Sequence, residues 1–259
     1  MTQGRGQSVS DAATALRELL AMTPSSARTQ WLQRVADLRR QYPLQTPLSD
    51  EICSPYGIVR AAGELAPADA IVATDVGQHQ MWVAQAYPFG RPDRWLTSGG
   101  LGTMGFGLPA AIGAAPTEPE ATTICFPGDG SLLMNIQELA TLAELSLNVK
   151  IIVFDNAALG LVRQQQELFY QRRLVASEFT RPTDFVAIAK AFGIAAFDLQ
   201  SAAAPYGALA TALSRRGPTL IRVPIAADQH VLPMVAPGAA NTDALDHAAA
   251  PSVETQLDS

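Results

Sequence analysis

The sequence predicts an α/β fold in which a doubly wound parallel sheet carries helices on both faces. Short apolar runs rich in β-branched residues alternate along the chain with longer segments that repeat apolar residues at helical spacing. Hydrophobic residues make up 48% of the 259 residues and charged residues only 16%, a balance typical of globular domains. Strands that alternate with helices favour one parallel sheet covered on both sides.

The elements are expected in a regular order. A helix begins where Ser54 and Pro55 form an N-cap and first-turn pair. Strands are predicted at 70–74, 122–126, 149–154, 194–197 and 219–223. Helices are predicted near 105–114, 134–147, 183–191 and 206–215, and a loop at 77–80 follows the first strand.

Three parts of the chain can be distinguished. Residues 47–233 are predicted to form the compact domain that carries these elements. Residues 1–46 hold a helix with Trp31, Val35 and Leu38 on one face, which Tyr42 and Pro43 end. Residues 234–259 are expected to form a C-terminal tail, disordered from 246 onwards.

Charge and composition exclude several classes of function. A net charge of −6 and a pI near 5.0 argue against nucleic-acid binding, which needs clustered Lys and Arg. No apolar run approaches the ~20 residues of a membrane span, and residues 1–7 lack a signal-peptide core, so a cytoplasmic location is expected. Cys53 and Cys125 have neither metal-ligand nor disulfide spacing and are expected to be reduced thiols.

A Gly-Asp-Gly-Ser turn at 128–131 is the strongest functional signal. It follows one predicted strand, and Asn156 ends the next, 27 positions after Asp129. Carboxyl ends of parallel strands lie at the edge of the sheet where ligands bind, so the two side chains are expected to meet there. Mg²⁺ prefers such oxygen ligands and completes its shell with water and phosphate oxygens. A lone motif of this kind is more often a turn without a ligand, but the strand-helix-strand context favours a cradle for a metal-bound diphosphate.

The glycines of this turn have a role of their own. Gly128 and Gly130 allow the main chain to approach a ligand closely, and the amides around Gly130 and Ser131 can face anionic oxygens.

Four further segments extend the motif into a family resemblance. Gly-Asp-Gly followed at this distance by Asn resembles the diphosphate and metal motif of thiamine diphosphate enzymes. The segments resemble catalytic chains of acetolactate synthases, most closely the bacterial isozyme I type. They are 75–82 (DVGQHQMW), 98–111 (SGGLGTMGFGLPAA), 159–170 (LGLVRQQQELFY) and 233–242 (PMVAPGAANT). Several motifs in the right order are more specific than any one of them.

The resemblance implies thiamine diphosphate and Mg²⁺ as cofactors and assigns a set of contacts. The implied cofactor contacts are Gln78, His79, Gln80, Gly102, Met104, Gly128, Asp129, Gly130, Ser131, Asn156, Leu159, Gly160 and Leu161. The implied metal ligands are Asp129, Asn156 and the backbone of Ala158. Met104 would hold the two cofactor rings in a bent form, an orientation effect that can be large; the alternative is that it fills core space.

Two positions depart from many members of this family. Gln165 stands on the substrate side where many relatives carry a tryptophan, which implies a weak preference for 2-oxobutanoate over pyruvate. Asp155 stands where many relatives have a second asparagine before the metal ligand, so it adds a charge near the cofactor whose effect is not defined by the sequence.

No catalytic residue is assigned in this chain. In the family a pyrimidine-binding domain supplies the glutamate that activates the cofactor, and the resemblance covers only the diphosphate-binding domain. Glu138 and Glu144 are interpreted as helix-dipole compensation and surface solvation. Positioned acid or base catalysis is typically worth about 10²- to 10⁴-fold, so activity is expected to need a partner domain. A homodimer, or a hetero-assembly with a chain that carries this domain, is therefore implied.

A regulatory small subunit is a further partner that the family suggests. Flavin adenine dinucleotide, which sits largely on the family's middle domain, is not expected in this chain alone.

Three hypotheses follow. The first is the diphosphate-binding part of an acetolactate synthase, which converts two pyruvates to 2-acetolactate and carbon dioxide in isoleucine and valine biosynthesis. The second is one chain of a two-chain 2-oxo acid decarboxylase of the sulfopyruvate or phosphonopyruvate type, against which the segment 164–170 weighs. The third is a truncated, non-catalytic fragment that binds the cofactor.

Overall fold

The computed structural model describes residues 11–23 and 27–246. The chain divides into two compact units, Met1–Gln45 and Thr46–Ser259. The first unit contains helices α1 (Ala12–Met22) and α2 (Thr29–Gln41). The sequence predicted α2 and its end at Tyr42 but not α1, which the side chain of Asp11 caps by accepting hydrogen bonds from two main-chain amides. The predictions made for residues 1–7 and 247–259 lie outside the described residues.

The second unit is built on an all-parallel sheet, as predicted, which has six strands. Its strands are β1 (Ile71–Thr74), β2 (Trp95–Thr97), β3 (Thr123–Phe126), β4 (Val149–Asp155), β5 (Ala195–Asp198) and β6 (Thr219–Pro224). Their order across the sheet is β2-β1-β3-β4-β6-β5. Its helices are α3 (Pro55–Leu65), α4 (Gln78–Ala86), α5 (Gly107–Ala114), α6 (Asp129–Met134), α7 (Glu138–Glu144), α8 (Gly160–Phe169), α9 (Phe185–Ala191) and α10 (Pro205–Ser214).

Alternate residues of each central strand enter two separate cores, one on each face of the sheet. In β4, Ile152 and Phe154 belong to the core that α3, α4 and α10 cover, whereas Ile151 and Val153 belong to the core that α5, α7 and α9 cover. These residues are almost completely buried, and burying such a side chain contributes about 1.5–3 kcal/mol. Helices on both faces explain why the central strands are mostly apolar.

The chain order places a topological switch point between β1 and β3. After β1 the chain moves outward to the edge strand β2, and it then returns to place β3 on the other side of β1. A crevice forms outside the carboxyl ends of the strands at such a point. The residues after β1 and β3 therefore face one another across this crevice.

The predicted helix at 134–147 is wrong, because two shorter helices occupy the region. The first, α6, begins earlier, at Asp129 in the glycine-rich turn, and ends at Met134. The first helix ends before Asn135, whose side chain donates a hydrogen bond to the Gly105 carbonyl at 2.6 Å. Asparagine side chains typically compete in this way with the hydrogen bonds of a helix. The second helix, α7, starts only at Glu138.

Two other expectations about local structure are corrected. The predicted loop at 77–80 is helical from Gln78 onwards, because Gly77 takes a φ of 151° and turns the chain directly into α4. The strand β2 was not predicted; it has only three residues, too few for a periodic pattern. The remaining predicted strands and helices are present, with ends that differ by one or two residues.

Local chemistry fixes the predicted start of α3. Ser54 Oγ accepts a hydrogen bond from the Gly57 amide at 2.9 Å, an N-cap contact worth about 1 kcal/mol. Pro55 occupies the first turn, where its missing N–H costs nothing.

Both cysteines are free thiols. Cys125 is fully buried in β3, and burial raises its pKa well above the ordinary value. Across the described ranges, no helix is long and apolar enough to span a membrane; the cytoplasmic location stays a prediction.

Candidate diphosphate and metal site

A cavity of about 230 Å³ lies at the carboxyl edge of the sheet, where the segments after β1, β3 and β4 come together. Every predicted cofactor contact except one lines it, as do Ala158 and Gln165. The predicted contacts in its lining are Gln78, His79, Gly102, Met104, Gly128, Asp129, Gly130, Ser131, Asn156, Leu159, Gly160 and Leu161. The exception is Gln80, whose Nε2 donates to Thr97 Oγ1 at 2.7 Å. The geometry therefore gives no support to a cofactor contact from Gln80.

The turn after β3 is held by its own polar groups. Ser131 Oγ accepts a hydrogen bond from the Gly128 amide at 3.0 Å and donates one to the Gly128 carbonyl at 3.1 Å. The Gly130 amide donates to Asp129 Oδ1 at 2.7 Å. A Cβ atom at Gly128 would lie 2.9 Å from the imidazole of His79. Glycine at this position therefore lets the turn lie directly against the histidine.

Asp129 and Asn156 present oxygens to the same main-chain group. Asp129 Oδ2 and Asn156 Oδ1 each accept a hydrogen bond from the Ala158 amide, both at 3.2 Å. Ala157 makes this possible because its φ of 53° lies in the left-handed region and turns the chain back after β4. That conformation costs an alanine on the order of 1 kcal/mol. A carboxylate oxygen and an amide oxygen thus converge at a point that attracts positive charge.

The carboxylate of Asp129 is costly to ionise in this structure. Burial raises its pKa to about 7, and the charge of Asp155 adds to the effect, while hydrogen bonds from the Gly130 and Ala158 amides oppose it. A bound cation would favour the ionised form. Among the described residues no group of three or more His, Cys, Asp or Glu side chains is placed to hold a metal. A single carboxylate nevertheless suits Mg²⁺, which usually keeps several waters and phosphate oxygens.

The additional charge of Asp155 is compensated by an arginine that the sequence analysis missed. Arg222 Nε donates to Asp155 Oδ2 at 2.6 Å, and its Nη1 lies 3.2 Å from Asp198 Oδ1. The three residues lie at the carboxyl ends of β6, β4 and β5, far apart in sequence and adjacent in the sheet. The charge at position 155 therefore belongs to an ion-pair network beside the cavity.

Gln78 and His79 form the first turn of α4 and are both buried. Gln78 Nε2 has both hydrogens committed, to Gln164 Oε1 at 2.8 Å and to the Gln229 carbonyl at 2.9 Å. The Gln78 side chain therefore has no free N–H for a diphosphate, and a contact from this residue would have to come from its main chain. Burial lowers the pKa of His79 to about 4, against the attraction of Asp75, so the ring is neutral at neutral pH.

The glycine-rich segment before α5 is fastened to β1 by Asp75, which the sequence analysis also missed. Asp75 Oδ1 accepts from the Gly105 amide at 2.8 Å, and Oδ2 accepts from the Gly107 amide at 2.7 Å. Gly102 has a φ of 70°, a conformation that favours glycine. Met104 is half-buried and lines the cavity, where an unbranched side chain can adapt to a bound ring. Asp75 thus sets the position of Met104.

The helix α8 forms the remaining wall. It begins at Gly160 and places Leu161, Val162 and Gln165 along the cavity. Arg163 anchors the helix by pairing with Glu167 at 2.8 Å and with Glu178 at 3.0 Å. The resembling segment 159–170 is therefore helical from Gly160 to Phe169 in this structure.

The residues of the cavity fit a diphosphate bound together with a divalent cation. His79 Nε2 is buried and has no hydrogen-bond partner in the part of the chain that the structure describes. A polar atom in that state is normally satisfied by a ligand or water. The converging oxygens of Asp129 and Asn156 supply ligand chemistry that Mg²⁺ prefers, and the glycines at 128 and 130 leave the turn's main chain open to close approach.

Comparison with known proteins identifies the family of the chain. The family model for the thiamine pyrophosphate enzyme C-terminal TPP binding domain matches residues 75–223. The chain is 51% identical over 233 residues to the acetolactate synthase isozyme 1 large subunit of Escherichia coli (strain K12), which covers 90% of this chain and 42% of that protein.

Two further relatives give the same pattern. The chain is 43% identical over 217 residues to the acetolactate synthase isozyme 2 large subunit of the same strain, covering 83% of this chain and 39% of that protein. It is 41% identical over 220 residues to the chloroplastic acetolactate synthase 2 of Zea mays. That match covers 82% of this chain and 34% of the maize protein. The chain thus spans 34–42% of the length of these curated relatives.

Proposed function

Because the chain belongs to the thiamine pyrophosphate enzyme family, as its C-terminal cofactor-binding domain, we propose that it holds thiamine diphosphate with Mg²⁺ as the cofactor-binding part of an acetolactate synthase. The observation that carries this proposal is the convergence of Asp129 Oδ2 and Asn156 Oδ1 on one main-chain amide, beside the 128–131 turn. One charged and one neutral oxygen ligand, next to amides that can face phosphate oxygens, is the chemistry that a metal-bound diphosphate needs.

Every predicted site residue except Gln80 has a place in this proposal. Asp129, Asn156 and the main chain at Ala158 hold the metal. The 128–131 turn, His79 and the main chain at 78 contact the diphosphate, and Leu159, Gly160 and Leu161 close the cavity beside it. Gly102 and Met104 set the position of the rings, and Gln165 faces the substrate.

When bound, thiamine diphosphate supplies the stabilisation of a carbanion. The chain's own residues bind and orient the group, and among them we assign no acid or base to the chemistry. The proposed reaction joins two pyruvates as 2-acetolactate with loss of carbon dioxide, a step of branched-chain amino acid synthesis. An activating glutamate is supplied by a pyrimidine-binding domain elsewhere in the assembly, through a second copy or another chain. A regulatory small subunit remains part of this proposal.

The domain limits are proposed with the function. Residues 47–233 form the diphosphate-binding domain, residues 1–46 correspond to the end of a middle domain and a linker, and residues 234–259 form a tail. Flavin is not expected to bind this chain alone, since in the resembled family its site lies largely on the middle domain.

A binding experiment tests the site. Titration of the wild-type chain with thiamine diphosphate in the presence of Mg²⁺, followed by calorimetry, should show one saturable site that is lost when Mg²⁺ is chelated. Asp129→Ala and Asn156→Ala should each weaken binding by about 100-fold or more, since even residues that only orient metal ligands are worth about 10- to 100-fold. Glu144→Gln, on the exposed side of α7, serves as the matched control and should bind like the wild type. Equal binding by Asp129→Ala would refute the site.

An activity experiment tests the reaction. Acetolactate formation from pyruvate should be at background for this chain alone and should rise when a separate chain with the pyrimidine-binding domain and its glutamate is added. Formation of carbon dioxide and aldehyde without acetolactate would favour the two-chain decarboxylase. Robust activity of the isolated chain would contradict the requirement for a partner domain.

A further inference from the structure

Gln164 is a buried residue of α8 that does not line the cavity, yet it is connected to the candidate metal site. Its side chain is 1% exposed. Its Oε1 accepts from the Val231 amide at 2.8 Å, and its Nε2 donates to the Val231 carbonyl at 2.8 Å. A main-chain amide can only donate and a carbonyl can only accept. Val231 therefore fixes which end of the Gln164 amide is oxygen and which is nitrogen.

The orientation of the Gln164 amide in turn determines the orientation of the Gln78 amide. Gln164 Oε1 also accepts from Gln78 Nε2 at 2.8 Å, and the second hydrogen of Gln78 Nε2 goes to the Gln229 carbonyl at 2.9 Å. Both neighbours are acceptors, so the nitrogen of Gln78 must face them. Its oxygen then points the other way, where Asn156 Nδ2 donates to it at 3.3 Å.

The last amide in this series is a candidate metal ligand. Asn156 turns its nitrogen to Gln78 and its Oδ1 to the Ala158 amide at 3.2 Å, beside Asp129. The acceptor on Gln78 and the main-chain donor at Ala158 therefore favour the same orientation of the Asn156 amide. An amide rotated by 180° would offer N–H groups to a metal instead of an oxygen. An isolated asparagine has no strong preference between these two orientations, since its oxygen and nitrogen have nearly the same size.

We propose that Gln164 is a positioning residue that acts through Gln78 to hold Asn156 with its oxygen towards the metal. The relay runs from the main chain of Val231 through three side-chain amides, and each member has its donors and acceptors matched to the next. Gln164 and Gln78 are buried and Asn156 is half-buried. A hydrogen-bond network whose donors and acceptors are satisfied rigidifies its members, and groups that orient metal ligands typically contribute about 10- to 100-fold to affinity. The proposal rests on the proposed function, because the metal is the last member.

A double-mutant cycle on metal affinity tests the relay. The probe is Mn²⁺ in the presence of saturating thiamine diphosphate, with free Mn²⁺ measured by electron paramagnetic resonance. Gln164→Met, which keeps the volume but removes both polar ends, should raise the dissociation constant for Mn²⁺ by about 10- to 100-fold. The matched control is Gln166→Met on the same helix, whose amide contacts Val175 and Ser177; it should change the constant less than about threefold.

The second arm of the cycle separates positioning from general destabilisation. Asn156→Asp retains an oxygen ligand but has no nitrogen to donate to Gln78, so it disconnects the relay from the metal. In that background Gln164→Met should lose its effect on the Mn²⁺ dissociation constant, whereas a merely structural defect would persist. An undiminished effect in this background, or no effect of Gln164→Met in the wild type, would overturn the relay.

Two outcomes concern the proposed function and the fold. Absence of Mn²⁺ binding by the wild-type chain with thiamine diphosphate would overturn the proposed metal site, and the role of the relay at the metal with it. If Gln164→Met does not fold, hydrogen exchange of the wild type decides instead. The side-chain amide hydrogens of Asn156, assigned by ¹⁵N NMR, should exchange more slowly than those of a solvent-exposed glutamine; equal rates would refute the contact with Gln78.

Discussion

Gly160 lies so close to Gln78 that a Cβ atom at position 160 would stand 2.0 Å from Gln78 Oε1 and 2.6 Å from Asn156 Nδ2. Because Gly160 has no side chain, the side-chain amides of Gln78 and Asn156 can occupy the space beside its Cα and contact each other. The first residue of α8 thereby allows the contact between the segment after β1 and the segment after β4. Glycine at this position is required by packing and not by backbone conformation.

The substitution Gly160→Ala is therefore expected to destabilise the protein by about 1–3 kcal/mol, the usual cost of overpacking. It should also weaken Mg²⁺-dependent binding of thiamine diphosphate, because Gln78 and Asn156 must move apart. Urea denaturation and calorimetry measure the two effects. The control is Gly207→Ala in α10, where a Cβ would meet only an ordinary contact at 3.8 Å; it should be neutral or stabilise by up to about 1 kcal/mol. Equal stability of the two variants would contradict the packing argument.

A second prediction concerns the buried carboxylate of Asp129. Its folded-state pKa of about 7 lies above the ordinary value of 3.8. The folded chain therefore binds this proton more tightly than the unfolded chain, so Asp129 adds stability as the pH falls from about 7 towards 3.8 and takes it away as the pH rises. A shift of about three pKa units changes the free energy of unfolding by about 4 kcal/mol at most.

Asp129→Asn removes this pH-dependent penalty. Without metal or cofactor, the variant should be more stable than the wild type by about 1–3 kcal/mol at pH 8.5, because the lost acceptor for the Ala158 amide offsets part of the gain. The difference should shrink as the pH approaches 5. Urea denaturation at both pH values measures it, with Asp50→Asn at a fully exposed side chain as the control. A variant that is less stable than the wild type at pH 8.5 would show that the carboxylate is not strained in the metal-free protein.

Much of the fold was predictable because it depends on local pattern. Four consecutive apolar residues, Ile151 to Phe154, form the centre of β4, as is typical of a strand covered on both faces. The meeting of Asp129 with Asn156 was also predictable, since each directly follows a parallel strand. The helical start at Gln78 was not, because it depends on the conformation of Gly77, and its polar first turn shows no helical period.

The supporting contacts of the site lay beyond sequence reasoning for a different reason. Gln164 and Val231 are 67 positions apart, and neutral amides give no signal of charge or hydrophobic period to pair them. In the sequence, Arg222 cannot be distinguished from a surface arginine. Its role depends on the sheet order, in which β6 lies between β4 and β5. Asp75 offered a weak signal, a carboxylate directly after a strand, but its two acceptor sites are used by a glycine-rich segment 30 residues away.

A third prediction follows from that contact. Asp75→Ala removes the acceptors for the Val76, Gly105 and Gly107 amides. Hydrogen bonds to a charged group contribute about 1.5–3 kcal/mol each and are not additive, so a loss of about 3–5 kcal/mol is expected. Amide hydrogen exchange should increase at Gly105 and Gly107.

The control for this prediction is Asp184→Ala. Asp184 caps α9 with one side-chain contact, to the exposed Ala187 amide at 2.8 Å, and its loss should cost only about 1 kcal/mol. Unchanged exchange at Gly105 in the Asp75 variant would mean that the glycine-rich segment does not depend on this carboxylate. In that case Met104 would have to be held in place by packing alone.

The last prediction concerns the arginine that compensates Asp155. Arg222→Met leaves Asp155 without its partner at 2.6 Å, at a side chain only 11% exposed. Because the network is partly exposed, the expected cost is about 1–3 kcal/mol, below the value for a fully buried pair. Arg216→Met, which removes an ion pair that is 3.5 Å long and about 90% exposed on both sides, should leave the denaturation midpoint unchanged.

The Arg222 variant should also act on the metal site. The charge of Asp155 already contributes to the raised pKa of Asp129, and loss of Arg222 leaves that charge uncompensated. The pKa of Asp129 should rise further, so the stabilisation by Asp129→Asn should level off at a higher pH and at a larger value in the Arg222→Met background. An identical pH dependence in both backgrounds would show that the Asp155 charge does not reach the metal carboxylate, and that the network only holds three strand ends together.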